Sequence, residues 1–173
     1  KKRNLLAIGL CCLAAMMAAF GVQQWQRIEQ EQYVQQELLK MVSDGAKIFD
    51  IRDLNEIHTT VDMEKSEYKK INAILQQIRR EALTTVDYIY LMRPTETKGV
   101  YTFIAEGDAI DPTTPFDFNE DGRIDAADEY VLPGLKYVAL PEDPLSLGVP
   151  QKPITADQII EDQWGPIISA YAP

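Results

Sequence analysis

Apolar side chains recur at helical spacing in two stretches of the first half of the chain. Residues 23–49 contain no Pro and one Gly, and their apolar positions lie three or four residues apart, which predicts a long helix. Residues 64–83 predict a second amphipathic helix, whose apolar face consists of Tyr68, Ile71, Ile74, Leu75 and Ile78. The polar stretch between them, residues 51–62, predicts a loop that contains the single histidine, His58.

Strand patterns follow in the second half. Residues 86–92 and 100–105 are rich in β-branched and aromatic side chains and are separated by turn-forming residues, so they predict a hairpin. Residues 135–140 predict a third strand and residues 164–172 a last one, with a short helix at 157–162 before it. Helices followed by antiparallel strands predict an α+β fold.

The apolar stripe of the first helix has two possible packing partners. It consists of Trp25, Ile28, Val34, Leu38, Met41, Val42 and Ile48. One expectation is a homodimer, in which the same helix of a second copy covers the stripe. The other is packing against the chain's own domain, because the spacing is too imperfect to require a coiled coil.

An uncharged apolar segment of 18 residues, Leu5 to Val22, follows the basic residues Lys1, Lys2 and Arg3. Its length and flanks predict a transmembrane helix after a short cytoplasmic tail, residues 1–4. The chain is then expected in the cell inner membrane, with residues 23–173 forming a periplasmic or extracellular domain. A cleaved signal peptide is the alternative, because the end of the segment is rich in small residues.

The composition and the net charge limit the classes of molecule that the chain is expected to bind. The chain has 173 residues, 46% of them hydrophobic, which is enough for one domain with its own core beside the anchor. Three of its 17 basic residues precede Leu5, so the rest carries 14 basic and 27 acidic side chains, a formal charge of −13. This charge excludes nucleic acid as a partner and favours cations or cationic ligands.

One acidic run has the spacing of a calcium loop. Between Asp117 and Asp128, oxygen ligands occupy positions one, three, five, seven, nine and twelve, and Gly122 occupies the sharp turn. The predicted Ca²⁺ ligands are Asp117, Asn119, Asp121, the carbonyl of Arg123, Asp125 and Asp128. The run resembles the calcium loops of dockerin modules, which also end in Asp. The alternative is a solvated acidic turn, since Asp, Asn and Gly are common turn residues.

The sequence predicts no catalytic residues. It contains no Gly-rich phosphate loop and no Gly-x-Ser-x-Gly motif, and both cysteines lie in the apolar segment, away from His58. The only clustered carboxylates are those of the predicted calcium loop. We therefore expect no enzymatic activity within this segment, although a cytoplasmic output domain outside it could be enzymatic.

Four segments resemble the Cache-type (PAS-like) extracytoplasmic sensor domains of bacterial transmembrane receptors. They are residues 87–94 (DYIYLMRP), 100–109 (VYTFIAEGDA), 133–137 (PGLKY) and 162–173 (DQWGPIISAYAP). The resemblance implies a transmembrane helix that continues into the long helix, a second helix, and an antiparallel PAS-like sheet with the calcium loop inserted. It also implies a further strand after Pro173, so that the sequence would be a piece of a longer receptor.

The same resemblance implies a function. It is that of a ligand-sensing domain of a membrane-anchored signal-transduction receptor, of the histidine kinase, diguanylate cyclase or chemoreceptor type. A small molecule would lie against Tyr88, Tyr90, Tyr101, Asp108, Tyr137 and Trp164. Ordinary strand packing explains the aromatic residues equally well, and Asp108 could cap a turn. A direct divalent-cation sensor and a membrane-anchored interaction subunit are the alternatives.

Overall fold

The structure is a computed structural model that describes residues 25–109, 123, 131–162 and 165–173. The chain divides into two compact units, Lys1–Gln36 and Glu37–Pro173. The described residues of the first unit are helical, and this helix, α1, covers residues 25–45. The prediction of a helix at 23–49 is confirmed over that range.

Two short helical segments occupy the stretch predicted as a loop. Helix α2 spans Ile51–Asn55, and a 3₁₀ helix spans Thr60–Glu64. The carboxylate of Asp50 accepts a hydrogen bond from the Arg52 backbone N–H at 2.9 Å, which caps the start of α2. Asp62 stabilises the second segment, because one of its oxygens accepts from the backbone N–H groups of His58 and Thr59, both at 2.9 Å.

Helix α3, Ser66–Glu81, confirms the second predicted helix. Its buried face contains Tyr68, Ile71 and Leu75, as the apolar spacing predicted, and also Asn72. Arg79 and Arg80 lie in its last turn, where positive charge interacts favourably with the helix dipole. The helix ends at Ala82, whose backbone is extended.

Three antiparallel strands form the main sheet, in the order β1-β2-β3. They are β1, Tyr90–Pro94; β2, Val100–Glu106; and β3, Lys136–Val138. The register pairs Leu91 with Ala105 and Met92 with Phe103, so Ile104 is an extra residue that forms a β-bulge. The predicted strands at 100–105 and 135–140 are confirmed, whereas the strand predicted at 86–92 begins only at Tyr90.

Gly134 permits the tight approach of β3 to the segment before α3. Its φ of 92° lies in the left-handed region, and a Cβ there would stand 2.8 Å from the carbonyl oxygen of His58. Its N–H donates to the Phe103 carbonyl at 3.0 Å, and the Phe103 N–H donates to the Leu135 carbonyl at 2.9 Å. These bonds fasten the chain to β2 just before β3 begins.

The last four strands pair with one another and not with the main sheet. Strand β4, Ile154–Thr155, pairs with β7, Ala170–Tyr171, and β5, Ile160–Asp162, pairs with β6, Gly165–Ile167. The helix predicted at 157–162 is therefore wrong, because its last three residues form a strand. The single strand predicted at 164–172 is interrupted after Ile167, and its two parts have different partners.

The predicted PAS-like sheet is also wrong. The described strands form one three-stranded sheet and two separate two-stranded pairs, with no closed PAS-like sheet among them. The strands from β4 onward are only two or three residues long, and Pro166 interrupts the row of backbone donors in β6. Such short segments satisfy their backbone groups in local pairs.

Within the described residues, no helix combines the length and the apolar character needed to cross a bilayer. Helix α1 is long enough, but it carries charged side chains along its whole length. This finding contradicts the predicted inner-membrane location with a periplasmic domain. The segment on which that prediction was based, residues 5–22, lies outside the described residues.

The core of the second unit contains two clusters, and β2 contributes to both. The first, the α3 cluster, consists of Ile57, Met63, Tyr68, Ile71, Leu75, Ile104, Ala105 and Ala109. The second, the tyrosine cluster, consists of Tyr101, Leu145 and Tyr171, with Met92, Tyr137, Ala139 and Ile154 packed against it. Five of the seven β2 residues are buried, because the strand is covered by both clusters.

The substitution Leu75→Ala tests the α3 cluster. Leu75 is 1% exposed, so its truncation should leave a cavity and lower the free energy of unfolding by about 2–4 kcal/mol, measured by urea denaturation. The matched control is Leu83→Ala, since Leu83 lies just beyond α3 and is 73% exposed. The control should change stability by less than about 0.5 kcal/mol. Equal effects of the two substitutions would show that the packing around α3 is incorrectly described.

Candidate functional site

The two ends of the acidic connection between β2 and β3 meet in the core. The carboxylate of Glu106, the last residue of β2, accepts a hydrogen bond from the backbone N–H of Val131 at 2.8 Å. Both residues are buried. One side chain thus holds together the two ends of a connection that contains the predicted calcium loop.

Helix α3 fastens the outgoing end of this connection. The Tyr68 hydroxyl donates to the Ala109 carbonyl at 2.8 Å, and the Asn72 side-chain amide donates to the Glu106 carbonyl at 2.7 Å. Gln76 and Asn72 both donate to the Gly107 carbonyl at 3.1 Å. We refer to Glu106, Val131, Tyr68, Ala109 and Asn72 as the loop base.

Burial dominates the electrostatics of the loop base. Loss of water raises the pKa of Glu106 to about 7, and the hydrogen bond from Val131 only partly opposes this rise. The nearby charge of Asp108 raises the Glu106 pKa further, whereas Arg79 lowers it. Burial also raises the pKa of Tyr68, and the charge of Glu106 adds to that rise. The Tyr68 hydroxyl is therefore a hydrogen-bond donor at any physiological pH.

Asp108, a predicted ligand-binding residue, already has a cationic partner. It forms an ion pair with the guanidinium of Arg79, which also donates to the Val86 carbonyl at 2.8 Å. The two side chains are about one-third exposed, 33% for Arg79 and 30% for Asp108. A ligand amine at Asp108 would have to displace or share this guanidinium.

A second buried carboxylate, Asp143, organises the tyrosine cluster. One of its oxygens accepts from the hydroxyls of Tyr137 at 2.6 Å and Tyr171 at 3.0 Å. The other accepts from the Leu145 backbone N–H at 2.8 Å and so caps a 3₁₀ helix, Pro144–Leu147. Burial is the main cause that raises the pKa of Tyr171. Asp143 is 2% exposed, and its three donors are all uncharged.

Two of the predicted pocket residues lie on either side of Phe103. The Tyr90 and Phe103 rings are 5.3 Å apart between centroids, and those of Phe103 and Tyr137 are 6.0 Å apart, both with edge-to-face geometry. Tyr90 and Tyr137 are partly buried, whereas Phe103 is fully buried. The structure therefore brings these two predicted residues to one side of the sheet.

The other predicted pocket residues are less available to a ligand or are not described. Tyr101 is buried, and its hydroxyl donates to the Leu145 carbonyl at 3.0 Å, which is a packing role. Tyr88 is partly buried and precedes β1. Trp164 lies outside the described residues.

The predicted calcium ligands fall almost entirely outside the described residues. Of the six, only Arg123 is described, and it is exposed. Elsewhere in the described part of the chain, no group of three or more His, Cys, Asp or Glu side chains could hold a metal ion. The carboxylates of the run Asp117 to Asp128 remain the metal-binding candidates, by the chemistry of their spacing.

Sequence reasoning did not identify Glu106 or Asp143 as important. A signal was present for each. Glu106 directly follows the apolar run 103–105 in a strand, where a carboxylate is unusual, and Asp143 precedes Pro144, a typical capping position at the start of a helical turn. Neither signal reveals which distant groups the carboxylate will meet.

The single histidine, His58, lies beside the side chain of Arg93. The guanidinium of Arg93, in β1, donates to the carbonyls of Leu54 at 2.7 Å and Ile57 at 3.2 Å. One of its nitrogens also lies 3.2 Å from Nδ1 of His58. Arg93 thereby connects α2 and the segment after it to the sheet, and His58 is part of this contact.

No family model, curated protein or solved structure matches the chain. The resemblance carried by the strand motifs therefore stays a prediction about family.

The substitution Tyr171→Phe tests the hydrogen bonding of Asp143. It removes one donor from a buried carboxylate, so we expect a loss of about 1–3 kcal/mol in the free energy of unfolding. Tyr33→Phe is the matched control, because Tyr33 is 52% exposed on α1, and it should leave stability unchanged within about 0.5 kcal/mol. A neutral effect of Tyr171→Phe would show that Asp143 does not depend on this hydroxyl.

Proposed function

We propose that the chain is a ligand-sensing domain of a signal-transduction receptor, with Ca²⁺ bound by residues 117–128 in a structural role. The ion would be held by the side chains of Asp117, Asn119, Asp121, Asp125 and Asp128 and the carbonyl of Arg123. The small-molecule ligand would lie against the partly buried tyrosines near Phe103.

The observation that carries the proposal is the closed loop base. The hydrogen bond between Glu106 and Val131 brings together the two ends of the connection that contains the acidic run. A connection held at both ends in the core loses less conformational freedom when it closes around an ion than a free segment would. Neutralisation of the clustered carboxylates by a cation then favours the ordered form.

The aromatic residues support the second part of the proposal. Tyr90 and Tyr137 retain partial exposure beside the buried Phe103, which supports contact between these residues and a small molecule. Asp143 anchors Tyr137 through a 2.6 Å hydrogen bond and fixes the position of its ring. The acidic composition favours a ligand that carries a positive charge.

Calcium titration tests the metal site. Addition of Ca²⁺ to the chelator-treated protein should raise its melting temperature, because the ion binds the folded state and not the unfolded one. Asp117→Ala and Asp121→Ala should each abolish the rise, since each removes a carboxylate ligand. Asp157→Ala, which removes an exposed aspartate outside the run, is the matched control and should keep it.

The affinity distinguishes a structural ion from a direct divalent-cation sensor. A dissociation constant far below the ambient calcium concentration means that the site is always filled, as a structural role requires. A constant close to the ambient concentration would favour the sensor. No change in melting temperature up to millimolar Ca²⁺ would eliminate the calcium site.

Ligand binding is tested with a panel of amino acids and small amines in calcium-saturated buffer. A compound that raises the melting temperature should bind roughly tenfold more weakly to Tyr90→Leu, which lacks the aromatic ring, by isothermal titration calorimetry. Tyr33→Leu removes an exposed tyrosine elsewhere and should bind with unchanged affinity. Equal binding to both variants would place the ligand away from the Phe103 region.

A further inference from the structure

Glu106 is a buried carboxyl group that forms no ion pair with any described Lys or Arg. It is 2% exposed. The nearest guanidinium, that of Arg79, is engaged by Asp108 and the Val86 carbonyl. The Val131 N–H therefore supplies an uncharged hydrogen bond where a buried carboxylate would normally require a positive charge.

The surroundings of Glu106 disfavour its ionised form. Helix α3 presents Tyr68 and Arg79 to it, the strand exit presents Asp108, and Tyr90 of β1 lies opposite it in the register. Arg79 is the only cation among these groups, and Asp108 largely offsets its charge.

We propose that the contact between Glu106 and Val131 is a proton-sensitive clamp, closed while the Glu106 carboxyl is neutral and loosened when it ionises. The neutral carboxyl stays buried at little cost and still accepts from the Val131 N–H through its carbonyl oxygen. The ionised carboxyl gains hydration when the contact opens, so opening becomes easier. Changes of pH between about 4.5 and 7 thus act on both ends of the acidic connection.

The direction in which pH changes the stability follows from the difference between the pKa values of Glu106 in the folded and unfolded chain. Folding raises the pKa of Glu106 from 4.5 to about 7, so the folded state holds a proton that the unfolded chain releases. The stability contributed by this proton is fully present below about pH 4.5 and is lost as the pH rises through about 7. Between these two values the open population of the clamp increases by up to about tenfold per pH unit, and above about pH 7 it levels off, because the carboxyl is then ionised in both states.

Amide hydrogen exchange of Val131 tests the clamp directly. The whole chain is measured by NMR between pH 5.5 and 8.5 with a chelator present, so the result does not depend on the proposed calcium site. After correction for intrinsic exchange, the Val131 protection factor should fall by up to about tenfold per unit as the pH rises to about 7 and should level off above it. The Ala156 amide, which donates to the Ser169 carbonyl at 2.8 Å, should show no such change.

Two variants separate the clamp from a general effect of pH. Glu106→Gln keeps the shape and an acceptor oxygen, and it should make Val131 protection independent of pH. Asp143→Asn alters the other buried carboxylate, which also accepts from a backbone N–H at 2.8 Å, and it should leave the pH dependence of Val131 intact.

The carboxyl carbon of Glu106 gives a second measurement, which is made on the wild-type protein and requires no substitution. Its chemical shift in the wild-type protein should titrate with a midpoint near 7, matching the pH at which the Val131 protection factor levels off. A midpoint near 4.5, or a constant Val131 protection factor across the range, would overturn the proposal. If Glu106→Gln fails to fold, the wild-type titration and the Val131 exchange profile still decide between these outcomes.

Discussion

The fold of the second unit depends on the burial of β2 on both sides. Five of its seven residues are inaccessible to water, and the strand contributes to both hydrophobic clusters. The bulge at Ile104 allows this residue and its neighbour Ala105 to join the α3 cluster together. A strand covered on both sides has one stable register, and that register determines where Glu106 lies at its end.

Two of the described carboxylates, Glu106 and Asp143, are buried, and each connects segments that are distant in the chain. Glu106 holds the ends of the connection after β2, and Asp143 holds the tyrosines of β3 and β7. Their donors differ in an important way. Asp143 accepts three hydrogen bonds, two of them from hydroxyls that can adjust their direction, whereas Glu106 has a single described donor and an apolar setting.

The strand motifs that suggested a PAS-like sheet predict where strands form better than they predict how the strands pair. The pattern at 100–105 predicted β2 nearly to its bounds, because dense β-branched and aromatic residues have few other stable settings. The region from 154 onward has similar composition but forms short pairs of two or three residues. Pairing between strands depends on contacts far apart in the chain, which a local motif does not contain.

The sequence by itself determined the local elements and the candidate chemistry. The spacing of apolar residues was sufficient to predict α3 and its buried face, and the Asp, Asn and Gly spacing between 117 and 128 was sufficient to predict calcium as the ion. Only the tertiary structure decided which polar groups are buried and which partners they meet. Burial in the packed chain raises the pKa of Glu106 to about 7, and the hydrogen bond from Val131 only partly opposes this rise. Burial is a property of the packed chain, and no local pattern specifies it.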